Sequence, residues 1–81
     1  MSILAVKINP QAQIVKFTDA AIIVDLLDGR TISAPLVWFP KLSHATPQQL
    51  NNWELLGDGE GIHWPELDED LSVAGLLAGT H

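Results

Sequence analysis

The chain has 81 residues, 47% of them hydrophobic and 17% charged, which suits one small globular domain over 1–81 and lies far from the disordered regime. It holds no cysteine, which excludes disulfide stapling, thiol catalysis and cysteine-ligated zinc. The net charge of −6 is lopsided: the four basic residues (Lys7, Lys16, Arg30, Lys41) all precede position 42, and from there on the chain carries seven carboxylates and no Lys or Arg, a poor endowment for neutralising phosphates and so for binding nucleic acid directly.

The opening MSILAVKINP has no basic region followed by a long apolar run, and no apolar segment approaches the roughly 18–20 residues that span a bilayer. The expectation is a cytoplasmic protein. Ile3 to Ile8 alternates as a half-buried strand, Asn9-Pro10 marks a turn, and Gln13 to Thr18 is a second strand with Val15 and Phe17 on one face. Ala21 to Leu27, β-branched at Ile22, Ile23 and Val24, reads as a central strand. Asp28-Gly29 then turns the chain into a fourth strand, Arg30 to Leu36, whose Pro35 belongs at a sheet edge.

The register of that hairpin follows from its pattern. A two-residue loop pairs Val24 with Ser33 and Asp25 with Ile32, mixing polar and apolar on both faces. A three-residue loop of Leu27, Asp28 and Gly29 pairs Leu26 with Arg30, Val24 with Ile32 and Ile22 with Ala34. That sets one apolar face against Asp25–Thr31 and Ile23–Ser33. A one-residue slip would flip every side chain, so the three-residue turn with a bulge is expected.

After Leu36 the periodicity changes. Val37-Trp38-Phe39-Pro40 is an apolar knot with a turn of helix. Thr46, Pro47 and Gln49 spell a helix start with a capping box. Leu50, Trp53 and Leu56 at spacing three predict its buried stripe, and Gly57 its end. Ile62-His63-Trp64 is a short fifth strand closed by Pro65, and Leu67 to Asp70 an acidic turn. Ser72 caps a last helix with Val73, Leu76 and Leu77 on one face, ended by Gly79. The expected fold is α+β: a small antiparallel sheet of about four strands plus a short fifth, with two short helices toward the C-terminus.

Few patterns carry chemistry. The run Gly57-Asp58-Gly59-Glu60-Gly61 is glycine-rich, but it follows a helix, enters a strand and bears carboxylates, unlike a phosphate loop. A calcium loop starting at Asp58 would need an oxygen ligand and a glycine where Ile62 and His63 stand. His44, His63 and His81 lack short metal-ligand spacing, although His63, pointing opposite to Ile62 and Trp64, could sit exposed beside Asp68-Glu69-Asp70. The tryptophans Trp38, Trp53 and Trp64 read as sharing a core with Phe39, with Trp38 beside Pro40 as the one to line an interface. No catalytic, cofactor or metal residue is assigned.

The stretch NNWELLGDGEGIHWPELDEDLSVAGLL resembles the bacterial family of Domain of Unknown Function 2442. The resemblance rests on a strand ending in an Asp-Gly turn (Leu26 to Arg30), a Pro-Leu-aromatic segment (Pro35 to Pro40) and an Ile-His-Trp-Pro-x-Leu-Asp-Glu-Asp signature (Ile62 to Asp70). It implies an α+β fold and little about activity. It also implies a gene that often stands beside a second small protein, an arrangement similar to a toxin–antitoxin pair. Some relatives carry an added helix-turn-helix domain. The expectation is therefore a small acidic interaction protein without a cofactor, antitoxin-like, with Trp38, Glu60, His63, Glu66 and Glu69 as candidate contacts for a basic protein partner. A homo-oligomer is left open. The alternative is a small metal-dependent or acid–base enzyme using His63 with Asp68, Glu69 and Asp70. A nucleic-acid-associated regulator fits the charge worst.

Overall fold

A computed structural model describes residues 10–79. The expected strand at Ile3–Ile8 lies outside them. The described chain is α+β, but it forms two three-stranded antiparallel sheets rather than one larger sheet, and its helices lie between and after them. The first sheet has β1 (Ala12–Phe17), β2 (Ala21–Leu26) and β3 (Thr31–Pro35) in sequential order. A 3-10 turn (Leu36–Trp38), α1 (Pro40–Ser43) and α2 (Pro47–Asn51) connect it to the second sheet of β4 (Glu54–Leu56), β5 (Gly61–Trp64) and β6 (Glu69–Ser72), and α3 (Val73–Ala78) closes the fold.

The β2–β3 register is the one the pattern requires: Val24 faces Ile32, Ile22 faces Ala34, Asp25 faces Thr31 and Ile23 faces Ser33. The Leu26 N–H donates to the Arg30 carbonyl (2.8 Å) and the Gly29 N–H to the Leu26 carbonyl (3.1 Å), with Gly29 left-handed at φ +93°. The Asp28 carboxylate ties the turn by accepting from the Arg30 N–H (3.1 Å) and guanidinium (2.8 Å). Ile22, Val24, Leu26 and Ala34 are buried on one face. On the other, Asp25 accepts from Thr31 Oγ1 (3.1 Å) and pairs with Lys16 (3.1 Å). Among the described residues β3 is an edge strand, and it ends at Pro35, where a missing N–H costs no ladder bond.

Thr46 caps α2 with the full reciprocal box: its Oγ1 accepts from the Gln49 N–H (3.1 Å) while Gln49 Oε1 accepts from the Thr46 N–H (3.0 Å). The helix stops at Asn51, however, five residues on, and Glu54–Leu56 is a strand. Leu56, which a helical stripe would bury, is 40% exposed. Pairing of Leu55 with Ile62 and Leu56 with Gly61 overrides the weak local preference for helix. Gly57 to Glu60 is thus a hairpin turn between two strands. The acidic segment differs as well. Pro65 to Asp68 form the turn, with Asp68 left-handed at φ +51°, while Glu69 and Asp70 belong to β6. Ser72 Oγ caps α3 by accepting from the Gly75 N–H (2.9 Å), and Gly79 ends it at φ +75°. Val73 and Leu76 are buried on α3, whereas Leu77 turns out to solvent.

The two sheets are joined at the glycine turn and at Trp64. The Ala12 N–H of β1 donates to the Gly59 carbonyl (2.6 Å) across the join, while the Val73 N–H ties the start of α3 to the same turn by donating to the Glu60 carbonyl (2.9 Å). A Cβ on Gly59 would lie 2.5 Å from the Ala12 oxygen, so only glycine permits this approach. Trp64 is fully buried. It meets Phe17 of β1 edge-on, with ring centroids 6.3 Å apart, and its indole N–H donates to the Leu50 carbonyl (3.0 Å). Only Trp64 of the three tryptophans is fully in the core; Trp53 packs against it partly buried and Trp38 is 40% exposed. Among the described residues, no helix is long and apolar enough to cross a membrane.

Candidate functional site

Alternation along β5 buries Ile62 and Trp64 and turns His63 to the outer face of the second sheet. Its neighbours there are fixed by register: Glu54 on β4 and Asp70 on β6 both stand opposite His63. The imidazole Nδ1 is hydrogen-bonded to the Asp70 carboxylate. The His63 side chain is 25% exposed and the Asp70 side chain 65%. The hydrogen bond with Asp70 raises the His63 pKa above its ordinary value; partial burial opposes this, and the charges of Asp70, Glu54 and Asp68 reinforce it. Lys41 of α1 reaches this end, but its Nζ donates to the Asp68 backbone carbonyl (3.1 Å).

The expected contact residues do not form one patch. His63 and exposed Glu66, in the turn leaving β5, lie at the same end of the second sheet. Glu69 faces inward beside Trp64 and is half-buried, its Oε1 accepting from the Asp70 N–H (3.2 Å). Glu60 is exposed in the β4–β5 turn, at the opposite end of β5. Trp38 lies on the 3-10 turn, edge-on to Phe39 with centroids 6.4 Å apart. Glu54 was missed because the spacing of Leu50, Trp53 and Leu56 absorbs it into a helix. The alternation Trp53-Glu54-Leu55 before a glycine turn was the signal for a strand.

His63 with Asp70 is an acid–base pair in form, yet it lies on an open sheet face. A groove of about 330 Å³ is elsewhere, lined by Phe17, Asp19, Leu36, Leu42, Pro47 and Leu50 among others, and contains neither residue. The His44 ring hydrogen-bonds the Pro40 carbonyl (2.8 Å) at the end of α1. Among the described residues, no three His, Cys, Asp or Glu side chains are arranged to hold a metal ion.

The family model for "Protein of unknown function (DUF2442)" matches residues 12–81. The chain belongs to this family. Its fold is similar to that of a protein of unknown function from Rhodospirillum rubrum ATCC 11170, at 40% identity and a TM-score of 0.75 over 86% of this chain and 87% of that one. It is also similar to an uncharacterized protein from Chromobacterium violaceum, at 28% identity and a TM-score of 0.72 over 85% of this chain and 65% of that one. A comparison with curated proteins finds no match.

Proposed function

We propose that this DUF2442 chain is a non-enzymatic interaction protein whose acidic end docks a basic protein partner, as the antitoxin-like member of a two-protein pair. The observation that carries this reading is the row of Glu54, His63 and Asp70 across three adjacent strands. Asp68 and exposed Glu66 in the adjoining turn extend it, in a half of the chain with no Lys or Arg after position 41. Like charges held this close repel and cost stability, which a surface built for a cationic partner accounts for. A basic surface would be steered onto this end and would lose rate as salt screens it. The acid–base alternative is less favoured because the groove of about 330 Å³ among the described residues is lined by other residues and not by the His63–Asp70 pair.

The test compares E54K/E66K with wild type. A partner captured by the wild-type protein from cells of its source is purified, and association kinetics are followed at low and high salt. The double variant should keep its circular dichroism spectrum and associate about tenfold more slowly at low salt, the gap closing as salt rises. Glu60→Lys, at the far end of β5, should matter less. Unchanged, salt-independent association of E54K/E66K would overturn the acidic-end reading.

A further inference from the structure

We infer that the groove between the β1–β2 turn and the α1–α2 corner docks an extended protein segment that presents an apolar side chain flanked by Lys or Arg. The groove shares no residue with the acidic end, and the inference stands whether or not that end takes a partner. Phe17, Leu36, Leu42, Pro47 and Leu50 give it an apolar lining, and about 330 Å³ is room for a large aromatic or aliphatic side chain. Leu36 and Leu42 belong to the core, while Phe17 and Leu50 are only half-buried and leave apolar surface uncovered. Both sides are held by the fold. On one, Thr18 Oγ1 accepts from the Ala20 (3.3 Å) and Ala21 (3.0 Å) N–H groups, and the Leu36 N–H donates to the Ala20 carbonyl (2.9 Å). On the other, the Thr46 box starts α2, and the Leu50 carbonyl accepts from the buried Trp64 indole (3.0 Å). A wall fixed before binding has little ordering cost left to meet.

The polar groups of the groove say what kind of chain fits. Among the described residues Asp19 is the one charged side chain that lines it, and it has neither an ion-pair nor a hydrogen-bond partner there. Asp25 and Asp28, by contrast, are each held by a cation of their own sheet. Asp19 is therefore a carboxylate left to complement a cation from outside. The Ser43 and Asn51 side chains also line the groove and also lack partners among the described residues. A hydroxyl and a primary amide can each donate and accept, which matches the N–H and C=O of a peptide group. An acyl chain laid here would cover all three polar groups without answering any of them, at a cost in lost hydrogen bonds to water. A nucleic acid would bring phosphates to a carboxylate in a groove that no Lys or Arg lines.

The probe is acetyl-Arg-Phe-Arg-amide, with a cation on each side of the anchor so that chain direction does not matter. It is titrated into the full chain at about 0.15 M salt and followed by amide NMR. Millimolar binding is expected, with shifts at Phe17, Asp19, Leu42 and Leu50. Acetyl-Arg-Ala-Arg-amide should bind about tenfold more weakly, for want of an apolar anchor. Acetyl-Glu-Phe-Glu-amide should bind about fivefold more weakly, as fits one exposed charge pair. Asp19→Asn alters an exposed turn residue with no partner to lose, and should remove most of the Arg-over-Glu preference while keeping that for Phe. Ser43→Trp, which fills the groove from an exposed position, should abolish binding. Absent shifts at the groove, or an Ala peptide that binds as well as the Phe peptide, would overturn the site. So would loss of the Arg preference in E54K/E66K but not in Asp19→Asn, since the acidic end would then be reading the cation. Shifts of the same signals on raising protein concentration without peptide would mean that a second copy fills the groove, and would overturn it too.

Discussion

The two sheets are built alike, three short antiparallel strands each in sequential order, yet they treat their charges in opposite ways. In the first, Asp25 is held by Lys16 (3.1 Å) and Asp28 by Arg30 (2.8 Å). Each carboxylate answers a nearby cation of the same sheet, and the charge is spent on fixing a face and a turn. In the second, Glu54, Asp68 and Asp70 surround His63, a cation whose charge depends on pH. One architecture therefore yields a neutralised scaffold and a surface with negative charge to spare. Sheet topology does not set the difference; it follows from where Lys and Arg stop in the chain.

The largest break in this comparison is expected in the scaffold. Val24 is fully buried opposite Ile32, while Asp25, its chain neighbour, lies on the outer face. Val24→Asp puts an unpaired charge in a thin core and should cost more than about 4 kcal/mol, enough to unfold a domain of ordinary stability. Asp25→Ser loses only a surface ion pair and should barely move the melting temperature. Equal effects of the two variants would rule out this register.

A smaller effect is expected where the sheets meet. Gly59 and Gly29 both have positive φ, +96° and +93°. An added Cβ at Gly29 meets nothing within 4 Å, but at Gly59 it collides with the Ala12 backbone at 2.5 Å. Gly29→Ala should cost about 1 kcal/mol of backbone strain, and Gly59→Ala distinctly more, about 2–3 kcal/mol, because the Ala12–Gly59 hydrogen bond must also give. Chemical denaturation of both variants reads the difference, and similar midpoints would show that the join between the sheets yields freely.

How legible these regions were in the sequence follows the same divide. The β2–β3 hairpin could be read to the residue because its evidence is local: an Asp-Gly turn and an alternation that only one register satisfies. The capping box at Thr46 and the cap at Ser72 were legible for the same reason. The second sheet was not. Leu50, Trp53 and Leu56 satisfy a helical spacing by coincidence, and the partner that makes Glu54–Leu56 a strand lies across the glycine turn at Gly61 to His63. The β5–β6 turn was read two residues late, over Leu67 to Asp70, because a non-glycine residue, Asp68, takes the left-handed position, which an Asp tolerates better than most. With β4 read as helix and the start of β6 as turn, His63 could be placed outward but not between Glu54 and Asp70.

The finest distinction between the sheets is the sign of their pH dependence. Asp25 has a pKa lowered below 3.8, first by its hydrogen bonds with Lys16 and then Thr31. A group whose folded pKa is depressed adds stability above its unfolded value, and that contribution disappears as pH falls through the folded one. His63 is shifted the other way, raised above 6.5 chiefly by Asp70. Its contribution is complete below about pH 6.5 and is lost as pH rises through the raised folded value. The experiment compares melting temperatures of wild type against Asp25→Asn and against His63→Gln across pH, so that the other carboxylates cancel in each difference. The advantage of wild type over Asp25→Asn should hold from neutral pH down to about pH 4 and fade below it. Its advantage over His63→Gln should hold at about pH 6 and shrink toward about pH 8.5. Both effects are small, since both groups are at the surface, but their opposite slopes are diagnostic. A His63 difference that grew with pH would mean that the imidazole is neutral in the fold, and would remove the cation from the centre of the acidic row.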